Sequence, residues 1–314
     1  MAESHVQAQP LQTSYTPAIL RGTLLEEILR TRGFPPNGRL RALLEPIVKR
    51  PLDHFINICY EFDRRAAEKD FLAAARWMLP LFARGVEVMG VEHVPTEGPV
   101  LIVSNHPGAF DEVVIAATVP RADIRIFANK HPILAALPAV STHAIYSAAT
   151  DTNARMNALR NGIRNLREGR MLLLFPTGRT DPDPRRINGA AEALANWSHS
   201  IDLLVKKAPE TQVVVSIVSG MTSPVMMRNP FTWLKRQQLE KQKLAQTVQL
   251  ALQMLFPRLI DLVPRITFGP AMTLADLTQD GAQNVQQGVI EQAKRLLHLH
   301  TPAGPLVQPV FLRE

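Results

Sequence analysis

The chain has 314 residues, 46% of them hydrophobic, and a formal charge of +7, with a sequence pI near 9.8. That is enough for a substantial core in two domains, or one with appendages, and the basic balance favours anionic partners such as phosphate esters, anionic lipid surfaces or nucleic acid. The single cysteine, Cys59, excludes an internal disulfide and a cysteine-ligated zinc cluster, suits a reducing compartment, and reads as a small core hydrophobe beside Phe55, Ile56 and Ile58.

Residues 1–18 are polar, without the basic and apolar blocks of a signal peptide, and are expected to form a disordered tail. No stretch reaches the ~18 uncharged apolar residues that span a bilayer, so the chain is expected to be soluble or to sit on a membrane. Residues 19–84 are expected to be a helical amino-terminal region, either covering a sheet or forming a small bundle. Apolar spacing predicts short amphipathic helices over 20–30 and 39–49, separated by a Gly/Pro-rich break at 33–38. Pro51 restarts the pattern, and residues 52–82 repeat apolar side chains at helical spacing.

The period then changes. Residues 86–91 alternate as an edge strand would, and Pro99-Val-Leu-Ile-Val103 is an apolar, β-branched run suited to a strand buried on both faces. Ser104 and Asn105 end that run, His106-Pro107-Gly108-Ala109-Phe110 turns the chain, and Asp111 and Glu112 stand where a helix begins. The carboxyl end of a parallel strand is where α/β proteins gather their chemistry. An aspartate bonded to one imidazole nitrogen fixes the tautomer and leaves the other free to take a proton. Read alone, the pair also suits a structural histidine and a helix-capping aspartate.

A second strand is predicted over 123–128, ending in Asn129-Lys130-His131-Pro132, with a short helix through 139 and a short strand or turn near 144–146. A helix over 153–168 leads to a buried strand at 171–175, which delivers Phe175-Pro176-Thr177-Gly178-Arg179-Thr180. The glycine lets backbone N–H groups approach an anion, and arginine offers a fork suited to phosphate oxygens, although an ordinary loop fits the hexapeptide too. Further on come a helix over 192–207, a strand over 212–218, a mainly helical stretch over 225–262, a last strand over 265–268 closed by Gly269-Pro270, and a helix over 284–298. The alternation predicts an α/β fold, a mainly parallel mixed sheet flanked by helices with an α-helical amino-terminal region. Phe231, Trp233 and Leu234 lie among Arg228, Lys235, Arg236, Lys241 and Lys243, which suits a helix on an anionic membrane interface or an apolar face packed on the sheet.

The Asn105–Asp111 run and the Phe175–Thr180 hexapeptide together resemble the glycerolipid acyltransferase family, whose first signature is His, four residues, Asp and whose third is Phe-Pro-Glu-Gly-Thr-Arg. The resemblance covers residues 86–272 and implies an acyltransferase domain at 85–275 with a helical insertion at 225–262, then a carboxyl-terminal helix and tail over 276–314. It implies His106 as general base oriented by Asp111, an acyl-CoA or acyl carrier protein thioester as donor, and a phosphorylated glycerolipid acceptor. Substrate contacts are expected from Asn105, Gly108, Lys130, Phe175, Pro176, Thr177, Gly178 and Arg179, with oxyanion donors near Gly108 or Gly178. Phe231, Trp233, Lys235 and Arg236 are expected at an anionic membrane, placing the protein in the cytoplasm on the inner membrane face, with no metal and no bound cofactor. Thr177 stands where the family has glutamate, and the following Arg and Thr are displaced, which leaves a non-catalytic lipid-binding or scaffold protein as the alternative. A serine hydrolase is excluded by the absence of a Gly-x-Ser-x-Gly elbow, and a nucleic-acid binder by the absence of any zinc-finger, RNP-like or basic-arm pattern.

Overall fold

In the computed structural model, described over residues 16–31, 33, 35–129, 131–147, 151–256, 259–279, 284–300 and 310–311, apolar runs become strands and one sheet orders the chain. Most of the expected 1–18 tail, Lys130 and most of 301–314 lie outside the described residues. The strands are β1 (Gly85–Met89), β2 (Val100–Ser104), β3 (Arg125–Asn129), β4 (Ala144–Ser147), β5 (Met171–Leu174), β6 (Gln212–Ser219), β7 (Arg265–Met272) and β8 (Val310–Phe311). Their order is β4-β3-β5-β2-β6-β7-β1-β8. The first five in that order run parallel; β7 is antiparallel to β6, β1 parallel to β7, and the two residues of β8 antiparallel to β1.

Both faces of the central strands are buried, which explains their unbroken hydrophobicity. Val100, Ile102, Met171, Leu173, Val214 and Val218 enter one core, whose helical cover is α1 (Pro17–Thr31), α2 (Arg39–Glu68), α3 (Phe71–Met78), α4 (Asp111–Thr118), the short α5 (Pro132–Ala135) and α6 (Pro138–Ser141), and Met254 of a later helix. Leu101, Val103, Leu172, Leu174, Val213, Val215 and Ile217 enter the other, against α7 (Thr152–Arg167), α8 (Ala190–Leu194), α9 (Ser200–Lys207), α12 (Leu274–Leu277) and α13 (Val285–His300). The amino-terminal helices therefore cover the sheet rather than forming a bundle of their own.

Four predicted elements differ. The segments expected at 39–49 and 52–82 divide elsewhere: α2 continues through Pro46 and Pro51 to Glu68, and α3 follows from Phe71. An interior proline costs about 3 kcal/mol, and α2 offsets this by burying Leu52, Ile56, Cys59 and Phe62 in the first core. The helix expected over 192–207 is broken between α8 and α9, and the buried Trp197 lies in the break. Gly269-Pro270 does not end the last strand but lies inside it: Val214 pairs with Ala271 and Ser216 with Phe268, so β7 carries one extra residue as a bulge. The aromatic and basic stretch is not one helix but α10 (Pro224–Met227), a 3-10 turn (Pro230–Leu234) and α11 (Gln238–Leu255). Prolines at 224 and 230 begin the first two pieces, as fixed φ favours at a helix start. Among the described residues, no helix is long and apolar enough to cross a membrane.

Candidate active site

The loops after β2, β5 and β6 meet at one edge of the sheet, where the parallel strands end. His106 Nδ1 lies 2.9 Å from Asp111 Oδ2, and the same oxygen accepts the Gly108 N–H at 2.8 Å. Asp111 is fully buried in the first turn of α4, where the helix dipole favours its negative charge. A carboxylate can only accept, so Nδ1 carries the proton and Nε2 is the nitrogen left for chemistry. A Cβ on Gly108 would stand 2.6 Å from the Met221 Cβ and 2.8 Å from Asp111 Oδ1, so the close approach of this turn requires glycine.

The loop after β5 braces the histidine from its other side. The Phe175 ring stacks on the imidazole, with centroids 4.4 Å apart. Asp181 Oδ2 accepts the His106 main-chain N–H at 2.9 Å, and the Asp181 N–H donates to the His106 carbonyl at 2.8 Å. Asp183 is buried as well, its carboxylate accepting N–H groups of Arg185, Gly220 and Met221. Burial works against a charged imidazole, but the hydrogen bond to Asp111 and the charges of Asp111, Glu112 and Asp181 outweigh it and lift the His106 pKa to about 9. Glu112 is pushed up to about 7, chiefly by burial and further by Asp111, with His106 pulling the other way. Burial likewise raises the Asp181 carboxyl, against the lowering hydrogen bond from the His106 N–H.

The expected substrate-contact residues divide. Asn105 is buried, and its amide is engaged by Val218, donating to the carbonyl at 2.9 Å and accepting the N–H at 2.8 Å, so it ties β2 to β6 and is not free for a ligand. The N–H groups of Gly108 and Gly178 are both occupied, by Asp111 Oδ2 and by the Phe175 carbonyl, so neither glycine supplies the expected oxyanion donor here. Pro176 is buried, and the Thr177 hydroxyl donates to the Arg179 carbonyl at 2.9 Å, folding the tip of the loop. Gly178, with φ +62, and Arg179 are exposed at that tip. Phe231 and Trp233 stand 59% and 77% exposed, with Leu234 beside them at 68%, so the packed alternative for these side chains does not hold. Lys235 and Arg236 follow directly in the chain.

Sequence reasoning assigned no role to Asp181 or Asp183, or to the buried glutamines of α11, of which Gln242, Gln246 and Gln249 reach the same loops while Gln253 donates to the Phe82 carbonyl. The repeated Asp-Pro after the hexapeptide and the i, i+4, i+7, i+11 spacing of the glutamines were the available signals.

Residues 85–217 match the family model described as Acyltransferase. Among solved structures, the crystal structure of the 1-acyl-sn-glycerophosphate (LPA) acyltransferase PlsC from Thermotoga maritima aligns at 15% identity over 90% of this chain and 98% of that one, with a TM-score of 0.43. No curated protein matches the chain.

Proposed function

We propose that this chain, which carries an acyltransferase-family domain over residues 85–217, is a glycerolipid acyltransferase that moves a fatty acyl group from an acyl thioester to a hydroxyl of a glycerol-phosphate-type lipid precursor. The donor is acyl-CoA or an acylated carrier protein, used as a cosubstrate, and the reading needs no bound cofactor. The observation that carries it is the 2.9 Å His106–Asp111 hydrogen bond at the carboxyl edge of the parallel strands, inside the matched residues.

In this reading His106 Nε2 takes the acceptor hydroxyl proton as that oxygen attacks the thioester carbonyl. The tetrahedral intermediate collapses, the thiolate leaves, and the imidazolium returns the proton to it. Asp111 holds Nδ1–H throughout and offsets the positive charge that forms on the ring. Arg179 at the loop tip, with Lys130, would meet the acceptor phosphate, for which guanidinium and ammonium groups are suited. The exposed Phe231 and Trp233, flanked by Lys235 and Arg236, would rest on an anionic membrane and hold the protein peripherally on its cytoplasmic side. The catalytic unit would then span 85–275, with 225–262 as its membrane-facing insertion.

The test is thiol release from palmitoyl-CoA and from an acylated carrier protein, with and without lysophosphatidate, for the wild type and His106→Ala. Acceptor-dependent release, lowered by ~10²–10⁴-fold in the variant, is expected. With His106 held near pKa 9, kcat/KM should climb from pH 7 toward 9 as the neutral base accumulates. Release indifferent to acceptor would make the protein a thioesterase. No release from either donor, together with binding of lipid, would favour the scaffold that Thr177 in place of glutamate suggests.

A further inference from the structure

The turn carrying His106 contains a proline, so its main chain has few hydrogen-bonding groups, and those nearest the histidine are engaged. His106 N–H and C=O pair with Asp181, and Gly108 N–H meets Asp111. The carbonyl between them, Pro107 O, accepts two side-chain amides from one helix: Gln242 Nε2 at 2.8 Å and Gln246 Nε2 at 2.6 Å. These residues are one turn apart on α11, so their side chains stack on one face.

The two amides reach further. Gln242 Nε2 also donates to the Asp181 carbonyl at 2.9 Å, and its Oε1 accepts the Asp183 N–H at 2.9 Å. Gln246 Nε2 also donates to Thr222 Oγ1 at 2.9 Å. One turn on, Gln249 donates to the Met221 carbonyl and accepts the Ser223 N–H. The loops after three adjacent strands, β5, β2 and β6, are thus fastened to one helix. A buried amide is unfavourable unless bonded, and at Gln242 the partners are two carbonyls and an N–H. Only a neutral group with donors and an acceptor satisfies them: a carboxylate would face the carbonyl oxygens, and an ammonium would face the Asp183 N–H.

We propose that Gln242 and Gln246 are positioning residues for His106, clamping the Pro107 carbonyl so that the His-Pro-Gly turn holds the imidazole against Asp111. This rests on the acyltransferase reading for its kinetic consequence, though not for its geometry. The groups whose charge bears on the imidazole are Asp111 and Glu112 from α4 and Asp181 from the loop after β5, and burial of the ring opposes them, so a turn that slackens disturbs both and shifts the His106 titration.

The experiment uses the full chain, with Gln242→Leu, Gln246→Leu and the milder Gln246→Asn, which keeps the amide but withdraws it by one methylene. Val289→Ala, a cavity in the core on the opposite face of the sheet, serves as a stability comparator. Palmitoyl-CoA and lysophosphatidate give kcat and KM, thermal melting gives the folded fraction, and NMR titration gives the His106 pKa. The glutamine variants should lower kcat about 10- to 100-fold, the loss a displacement near 1 Å produces, with KM little changed and the His106 titration displaced from about 9. Val289→Ala should change kcat only through its folded fraction. The clamp is overturned if the glutamine variants behave like Val289→Ala and the His106 titration stays put. Should Leu prevent folding, Gln246→Asn decides alone. If the wild type transfers no acyl group, the function reading fails while the titration still decides the clamp.

Discussion

The loops after β2 and β5 leave neighbouring strands in register, Val103 beside Leu174, yet they are built in opposite ways. After β2 the chain reaches α4 through residues 105–110, and its two contacts to Asp111 span five and three residues. After β5 it takes residues 175–189 to reach α8, and its carboxylates are fixed from afar: Asp181 by His106, 75 residues away, and Asp183 by Gly220 and Met221, 37 and 38 away. The first loop is a local unit whose chemistry follows from spacing. The second is a brace whose side chains matter through what they hold. Substitutions should therefore separate, with turnover lost in the first loop and geometry and stability lost in the second.

The largest effect is expected at Asp111. Asn in its place can turn its amide toward Nδ1 and so favour the tautomer in which Nε2 carries the proton, which is useless for a base. Asp111→Asn should lower kcat about 10²–10³-fold at pH 8, within the range that general-base catalysis contributes. The raising influence of Asp111 also disappears, so the His106 titration should drop from about 9. Near-normal kcat with an unmoved titration would make the pair structural and place both loops in the same class.

Asp181 tests the other side. Asp181→Ala leaves the part-buried His106 N–H without its partner, which costs about 1 kcal/mol or more, and should lower kcat roughly tenfold by loosening the turn. Asp181→Asn keeps an acceptor for that N–H and should recover most of the melting temperature while still lowering the His106 pKa through the lost charge. A loss in Asp181→Ala as deep as in Asp111→Asn would break the contrast, because the brace would then act as chemistry.

The same contrast governs what could be read without coordinates. Alternation of β-branched runs with amphipathic segments predicted the mixed sheet and its helices, and four residues of turn between His106 and Asp111 sufficed to bring them together. Those are short-range facts, carried by period and spacing. The continuity of α2 through two prolines was hidden because burial of Leu52, Ile56, Cys59 and Phe62 depends on distant helices. Asn105 looked like a ligand residue and proved to be a tie to Val218, 113 positions on. Nothing local to Asp181 or Gln242 announces which main-chain group each will meet. Thr177 stands where the signature it resembles has glutamate, and the same loop brings a carboxylate to the His106 main chain four residues later, at Asp181.

The smallest effect belongs to Glu112, which adds charge to the first loop without bonding the histidine. Its folded-state pKa of about 7 lies above the ordinary carboxylate value of 4.5, so folding disfavours its charged form. A raised acid contributes stability below pH 4.5 that is lost as pH climbs through 7. Glu112→Gln should therefore melt higher than the wild type at pH 8, and the two should converge below pH 4.5. The charge of Glu112 also helps hold His106 at about 9, so its removal should slide the acid limb of kcat/KM to lower pH and raise activity at pH 7 about two- to threefold, equivalent to a few tenths of a pKa unit. Profiles from pH 6 to 10 with melting curves at pH 4 and 8 check both. A limb that stays in place while Asp111→Asn moves it would confine the electrostatics of the turn to the one hydrogen-bonded carboxylate. A limb that moves would extend that local unit by one residue, still within the first turn of α4.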